Sequence, residues 1–169
     1  MSTLSLYNAM GAVDTAIGNL GYILKKGEAN AKDRSIDPSI FLNSRLAPDM
    51  YSLLGQVYVA TSLAKACPHR LVGSTPPVYD DTEQSFDELY SRIERARGEL
   101  ATFSRGDIDG KEDHVFTVNF GPVEREFTGI SYLSGFIIPN IHFHVTTSYN
   151  ILRQNGVPLR KLDFFGGGG

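Results

Sequence analysis

The chain has 169 residues, 41% hydrophobic and 21% charged, with 16 Lys+Arg against 19 Asp+Glu for a formal net charge of −3, and one cysteine, Cys67. That length fits a single domain, and near-average composition excludes a globally disordered chain. The slight negative charge argues against a protein-wide nucleic-acid surface, and a lone cysteine excludes an intrachain disulfide or a polycysteine zinc site.

Leu6, Met10, Val13, Ile17, Leu20 and Leu24 fall at alternating steps of four and three, one stripe of a helix. Lys25-Lys26-Gly27 then reads as its stop, with cations at the negative helix end and a glycine beyond. Residues 28–47 form a polar connection, in which Asp37-Pro38-Ser39 caps a short turn carrying Ile40, Phe41 and Leu42. Pro48 starts a second helix through Met50, Leu53, Val57, Ala60, Ala64 and Cys67, and Pro68 ends it. After a loop over 71–84, Ser85 and Glu88 match a capping box for a third helix with Leu89, Ile93, Ala96, Leu100 and Phe103 inward. Alternation at 115–120, the break Gly121-Pro122 and a return over 123–128 predict a β-hairpin lying over one end or side of the helices.

The last helix is centred on 139–155, with Ile138, Ile141, Val145, Ser148 and Leu152 inward and Gly156 as its stop. Residues 129–138 are either a first helical part kinked by Pro139 or a separate turn. The segment Lys161–Phe165 folds back and buries some of Leu162, Phe164 and Phe165, leaving four terminal glycines as a flexible tail. The fold class is therefore mainly α: a four-helix bundle over residues 1–165 with a short hairpin inserted before the last helix. No run of about 18 apolar residues is present to span a bilayer, and the N-terminus lacks a signal-peptide layout. A soluble cytoplasmic protein without membrane or nucleic-acid partners is expected.

Two residues apart on a helix means about 200° of rotation, so His142 and His144 point apart and cannot share one ion. His144 falls at the seam of the bundle, where a half-buried imidazole serves as a general base or as a core-edge residue satisfied by a polar partner. Asp49, in the first turn of helix two, either meets the positive helix end or orients His144 across the seam. Arg45, one turn earlier, is positioned to hold Asp49 as an ion pair, and Gln56 shares the row of Asp49. Catalytic roles are assigned to His144, Asp49 and Tyr149, substrate-binding roles to Arg45 and Gln56, and no metal or other cofactor is expected. Asp107-Ile108-Asp109-Gly110 fails the calcium-loop register and reads as a turn. Cys67 reads as a small apolar packer and Glu94, Arg95 and Arg97 as a solvated face.

Leu42-Asn43-Ser44-Arg45-Leu46-Ala47-Pro48-Asp49-Met50 is one distinctive stretch. The other is Ile138-Pro139-Asn140-Ile141-His142-Phe143-His144-Val145-Thr146-Thr147-Ser148-Tyr149-Asn150-Ile151-Leu152-Arg153, continuing through Gly156-Val157 to Asp163-Phe164. Both resemble an uncharacterised bacterial and fungal branch, a domain of unknown function, of the DinB/YfiT-like helical-bundle superfamily. The resemblance implies an up-down-down-up four-helix bundle, a homodimer, and in better-studied relatives a three-histidine divalent metal site serving thiol-dependent transfer. That pattern wants one histidine on helix two and an HxxxH pair on helix four, whereas this chain offers only His144, followed by Ser148. Three functions stay open: a metal-independent small-molecule enzyme or binder (an isomerase, cyclase or lyase moving a proton), a non-catalytic dimeric interaction protein, and a degenerate metal-dependent transferase with Asp49 and Gln56 as substitute ligands.

Overall fold

The computed structural model describes residues 5–167. Four long helices make a bundle: α1 (Leu6–Asp33), α3 (Leu53–Leu71), α4 (Phe86–Ala101) and α7 (Ile138–Gln154), with short helices α2 (Pro38–Asn43), α5 (Arg105–Ile108), α6 (Gly129–Tyr132) and α8 (Lys161–Phe164) between and after them. α1 and α3 each pack against both α4 and α7, so each pair lies on opposite corners. Most of the inward stripes read from spacing are buried, from Leu6, Ile17 and Leu24 on α1 to Leu53, Val57, Ala64 and Cys67 on α3 and Ile141, Val145 and Leu152 on α7, whereas Phe103 and Ile138 are only partly buried and Met50 lies on the loop before α3. Burial of these apolar faces is the main favourable term, because no one of the helices is stable alone in water.

Helix boundaries depart from the spacing at three prolines and glycines. α1 does not stop at Gly27 but runs to Asp33. Gly27 is buried within it, and a Cβ there would lie 2.7 Å from Leu152 Cδ2, so the glycine permits close approach of α1 to α7. Lys26, read as a helix-end cation, instead reaches Asp163 of α8 at 2.5 Å. Pro68 does not end α3, which continues to a fully buried Leu71; proline forfeits one backbone bond, and packing of the last turn offsets it. Pro48 does not start α3 either. Met50 N–H donates to Ala47 at 3.0 Å, an antiparallel bridge joins Arg45 to Ser52, and Ser52 is the residue that caps the helix. Residues 45–52 are thus a closed loop with Asp49 exposed on it, outside any helix.

The other signals hold locally. Asp37 caps α2 by accepting from Ser39 N–H at 2.9 Å, and Ser85 with Glu88 forms the capping box of α4. β1 (Val115–Phe120) pairs antiparallel with β2 (Val123–Thr128) across the two-residue loop Gly121-Pro122. Gly121 has φ +62°, as the first position of such a tight loop requires. The hairpin docks through Val118 and Phe127 and through rings that gather around Tyr132, with Phe116 at 5.1 Å and Phe127 at 5.4 Å between centroids. At its base, a Cβ on Gly129 would fall 2.0 Å from the Lys111 carbonyl oxygen, so only glycine fits.

Residues 129–154 form a continuous helical run, the first of the two alternatives read for 129–138, with a π-helical turn at Leu133–Ile137. Its longer register, in which Ile138 N–H donates to Leu133, sits directly before Pro139, which has no N–H to give. Gly156 terminates α7 with φ +88°. The fold-back at 161–165 buries Asp163, held by Lys26 and by Arg160 N–H at 2.6 Å, while Leu162 and Phe165 stay exposed. Gly166 and Gly167 are not free: Gly167 N–H donates to Leu162 at 2.9 Å, and the pair packs near Asn19 and Tyr22. The rest of the expected glycine tail lies outside the described residues.

On α4 the side chain that spacing did not foresee is Arg92, fully buried. It donates to Thr61 Oγ1 (2.7 Å), Asp81 (2.6 Å), Glu83 (2.9 Å) and Ser62 (3.1 Å), strapping the loop over 72–84 to the bundle. Arg97, read as a solvated residue, spans α4 to α1 through Asp14 at 2.8 Å.

Candidate functional site

The closed loop 45–52 lies over the seam between the start of α3 and α7, and together they form a cleft of about 290 Å³ lined by Arg45, Asp49, Met50, Tyr51, Gln56, Phe143 and His144. A larger groove, about 510 Å³, runs between α1 and α4, but its charged pair Asp14–Arg97 is mutually satisfied. His144, whose imidazole burial perturbs, lies in the smaller cleft.

His144 projects from α7 into the seam, 6% exposed, while His142 points to solvent, as expected for residues two apart on a helix. Gln56, on the first turns of α3 and 1% exposed, meets it with Oε1 2.7 Å from His144 Nδ1. Gln56 Nε2 donates to the Tyr51 carbonyl at 3.1 Å, which turns Oε1 toward the ring. A carboxamide oxygen only accepts, so His144 Nδ1 carries the proton and donates. The remaining nitrogen, Nε2, therefore keeps its lone pair and has no hydrogen bond among the described residues, and His144 lines the cleft. Burial drives the imidazole pKa down to about 4, because the charged form loses its hydration and gains no anion in exchange.

The other candidates separate. Asp49 lines the cleft but is exposed, and its carboxylate makes no hydrogen bond or ion pair among the described residues. The expected Asp49–His144 pair is replaced by Gln56–His144, because α3 begins at Leu53, capped by Ser52, rather than at Pro48 and leaves Asp49 on the loop. Arg45 likewise does not clamp Asp49: its guanidinium donates to the Met50 carbonyl, which closes the loop on itself. Gln56 is a positioning residue with both ends engaged, not a free substrate ligand. Tyr149 is away from the cleft, donating to the Leu159 carbonyl at 3.3 Å and packing against Phe164. Tyr51 and Phe143, 61% and 55% exposed, flank the opening, and the Phe143 ring stands edge-on to His144 at 5.3 Å. Neither was foreseen; an aromatic next to His144 on an outward helical position was the available signal.

A three-histidine metal site does not fit this donor set. Gln56 Oε1 is committed to His144, Ser148 donates its hydroxyl back to the His144 carbonyl at 2.8 Å, and no three His, Cys, Asp or Glu side chains converge among the described residues. One open ring nitrogen and one exposed carboxylate are fewer ligands than a closed or catalytic divalent site uses.

Four packed helices, a hairpin before the last of them and a single imidazole in the seam define a DinB-like helical bundle. The chain belongs to the family described as "Domain of unknown function (DUF1993)", whose model matches residues 6–165. It is similar to a DinB family member protein from Shewanella denitrificans of known crystal structure, 35% identical, with a TM-score of 0.86 over 95% of this chain and 92% of that one. No curated protein matches it. Among the described residues, no helix is long and apolar enough to cross a membrane.

Proposed function

We propose that this protein binds a small molecule in the cleft of loop 45–52, with His144 Nε2 accepting a hydrogen bond from the ligand. The reading rests on one observation: a buried, neutral imidazole whose Nδ1–H is fixed by Gln56 and whose second nitrogen has no protein partner. A nitrogen with a conjugate acid near 4 stays an acceptor across neutral pH. It is a weak general base, since efficient bases have a pKa near the working pH. Binding through a donor group, such as a hydroxyl or amide N–H, therefore suits it better than proton abstraction from carbon. The volume sits at the lower end of ligand pockets. Tyr51 and Phe143 offer flat apolar flanks, and Arg45 and Asp49 at the rim offer one charge of each sign.

Fragment titration followed by amide NMR tests it, using phenols, primary amides and small alcohols as probes. The expected outcome is a subset of donor-bearing fragments that shift Tyr51, Gln56, Phe143 and His144 together and lose at least tenfold in affinity in His144→Phe. Hits that ignore the cleft, or bind His144→Phe equally well, overturn the reading.

A further inference from the structure

At the end of α3 opposite the cleft, a serine, a histidine and a glutamate touch in a row. Ser74 Oγ lies 2.9 Å from His69 Nδ1, and His69 Nε2 lies 3.3 Å from Glu99 Oε2. They come from the last turn of α3, the loop after it and the last turn of α4. Gly73, with φ +76°, reverses the chain beyond α3, and Ser74 N–H donates to the His69 carbonyl at 2.8 Å. That turn brings the serine back beside the ring.

The hydrogen bonds fix where the protons sit. A carboxylate only accepts, so in the neutral ring Nε2 carries the hydrogen and Nδ1 holds a lone pair. The Ser74 hydroxyl has two acceptors in reach, that lone pair at 2.9 Å and the His69 carbonyl at 3.3 Å, and the ring nitrogen is the nearer. Nucleophile, base and orienting acid therefore stand in the order that activates a serine, a constellation defined by geometry and roles rather than by position in the chain. The His69 and Glu99 side chains are 16% and 28% exposed, whereas Ser74 is open to solvent.

The surroundings supply the other parts of such a centre. Thr75 N–H, the amide next after the serine, has no hydrogen bond among the described residues; the amide at that position is a common donor to the oxyanion of an attacked carbonyl. A cleft of about 280 Å³ is lined by Val72, Phe103, Gly106, Asp107 and Lys111. Phe103 joins it to the histidine, its ring standing edge-on to His69 at 4.9 Å.

We propose that Ser74, His69 and Glu99 form a second site, an acyl-transfer centre that hydrolyses small carboxylic esters. Ser74 Oγ bonds to the ester carbonyl carbon as its proton passes to His69 Nδ1, and Glu99 stays ionised beside the imidazolium. The tetrahedral carbon releases the alcohol, which leaves with the Nδ1 proton, and the acyl group stays on Ser74. Water then gives a proton to Nδ1 and its oxygen to the acyl carbon. Ser74 departs with that proton, and the free acid is the product. Val72 and Phe103 favour a short apolar acyl group.

Hydrolysis of p-nitrophenyl acetate and butyrate by the full chain, with mass spectrometry of the quenched protein, tests the proposal. The wild type is expected to release p-nitrophenol and to carry the acyl group on Ser74, and a fluorophosphonate should label the same residue. Ser74→Ala abolishes the labelling, and His69→Gln slows it about a hundredfold, both with unchanged circular dichroism. Glu99→Gln keeps an acceptor for the Nε2–H but removes the charge, so acylation slows while KM is unchanged. Acylation confined to lysines or other histidines, a Ser74→Ala protein as active as wild type, or labelling of His69→Gln at the wild-type rate would each overturn the proposal.

Discussion

Burying an imidazole in its neutral form couples the cleft to pH. In the unfolded chain His144 takes up a proton near its ordinary value of 6.5; in the folded chain it resists protonation until about 4. The unfolded state therefore binds more protons between these values, and stability is lost as pH falls through that window. The loss from this residue is about 3 kcal/mol. It precedes the losses from Asp163 and Asp109, whose carboxyls are held below the usual range chiefly by Lys26 and by Tyr7 N–H respectively, and which act at lower pH. Urea unfolding of wild type and His144→Phe at pH 7 and pH 4.5 is expected to show a steeper pH dependence in the wild type. Gln56→Ala strands the Nδ1–H and costs about 1–3 kcal/mol at neutral pH, measurable in the same titration.

Elements were legible where one face had to be buried and illegible where a single residue had two uses. The stripes of α1, α3, α4 and α7, the Ser85–Glu88 box and the alternation of the hairpin follow from local chemistry and are found where the spacing puts them. Gly27 and Pro68 are punctuation by local rules and packing residues in three dimensions, which only the positions of Leu152 and Leu71 decide. Gly27→Ala should therefore destabilise by about 1–3 kcal/mol through crowding of Leu152, despite alanine's better helix propensity; thermal melting checks the sign. Arg92 carried no signal in the spacing because its partners, Thr61, Asp81 and Glu83, come from other segments. Arg92→Met leaves those carboxylates without their buried partner. It should cost about 3–5 kcal/mol and speed amide exchange over residues 72–84 more than over α1.

At the scale of the molecule, the bundle with its inserted hairpin was readable from periodicity and from the two stretches that resemble the DinB-like superfamily. The cleft was half readable. His144 faces inward because its position relative to Val145 and Leu152 requires it, but its partner depended on where α3 begins. A four-residue shift of the helix start, from Pro48 to the cap Ser52, moved Asp49 out to the loop and brought Gln56 to the ring. Tyr51, on the loop, carries no spacing signal, and Phe143 was marked only by standing next to His144 on an outward helical position. The organising feature of the whole is a bundle that isolates one imidazole and leaves one of its nitrogens open. Long-range ¹H–¹⁵N NMR of the histidine rings between pH 3 and 8 reads both properties at once. His144 should appear as the Nδ1–H tautomer with a titration midpoint near 4; a midpoint near 6.5, or a proton on Nε2 at neutral pH, would contradict the account.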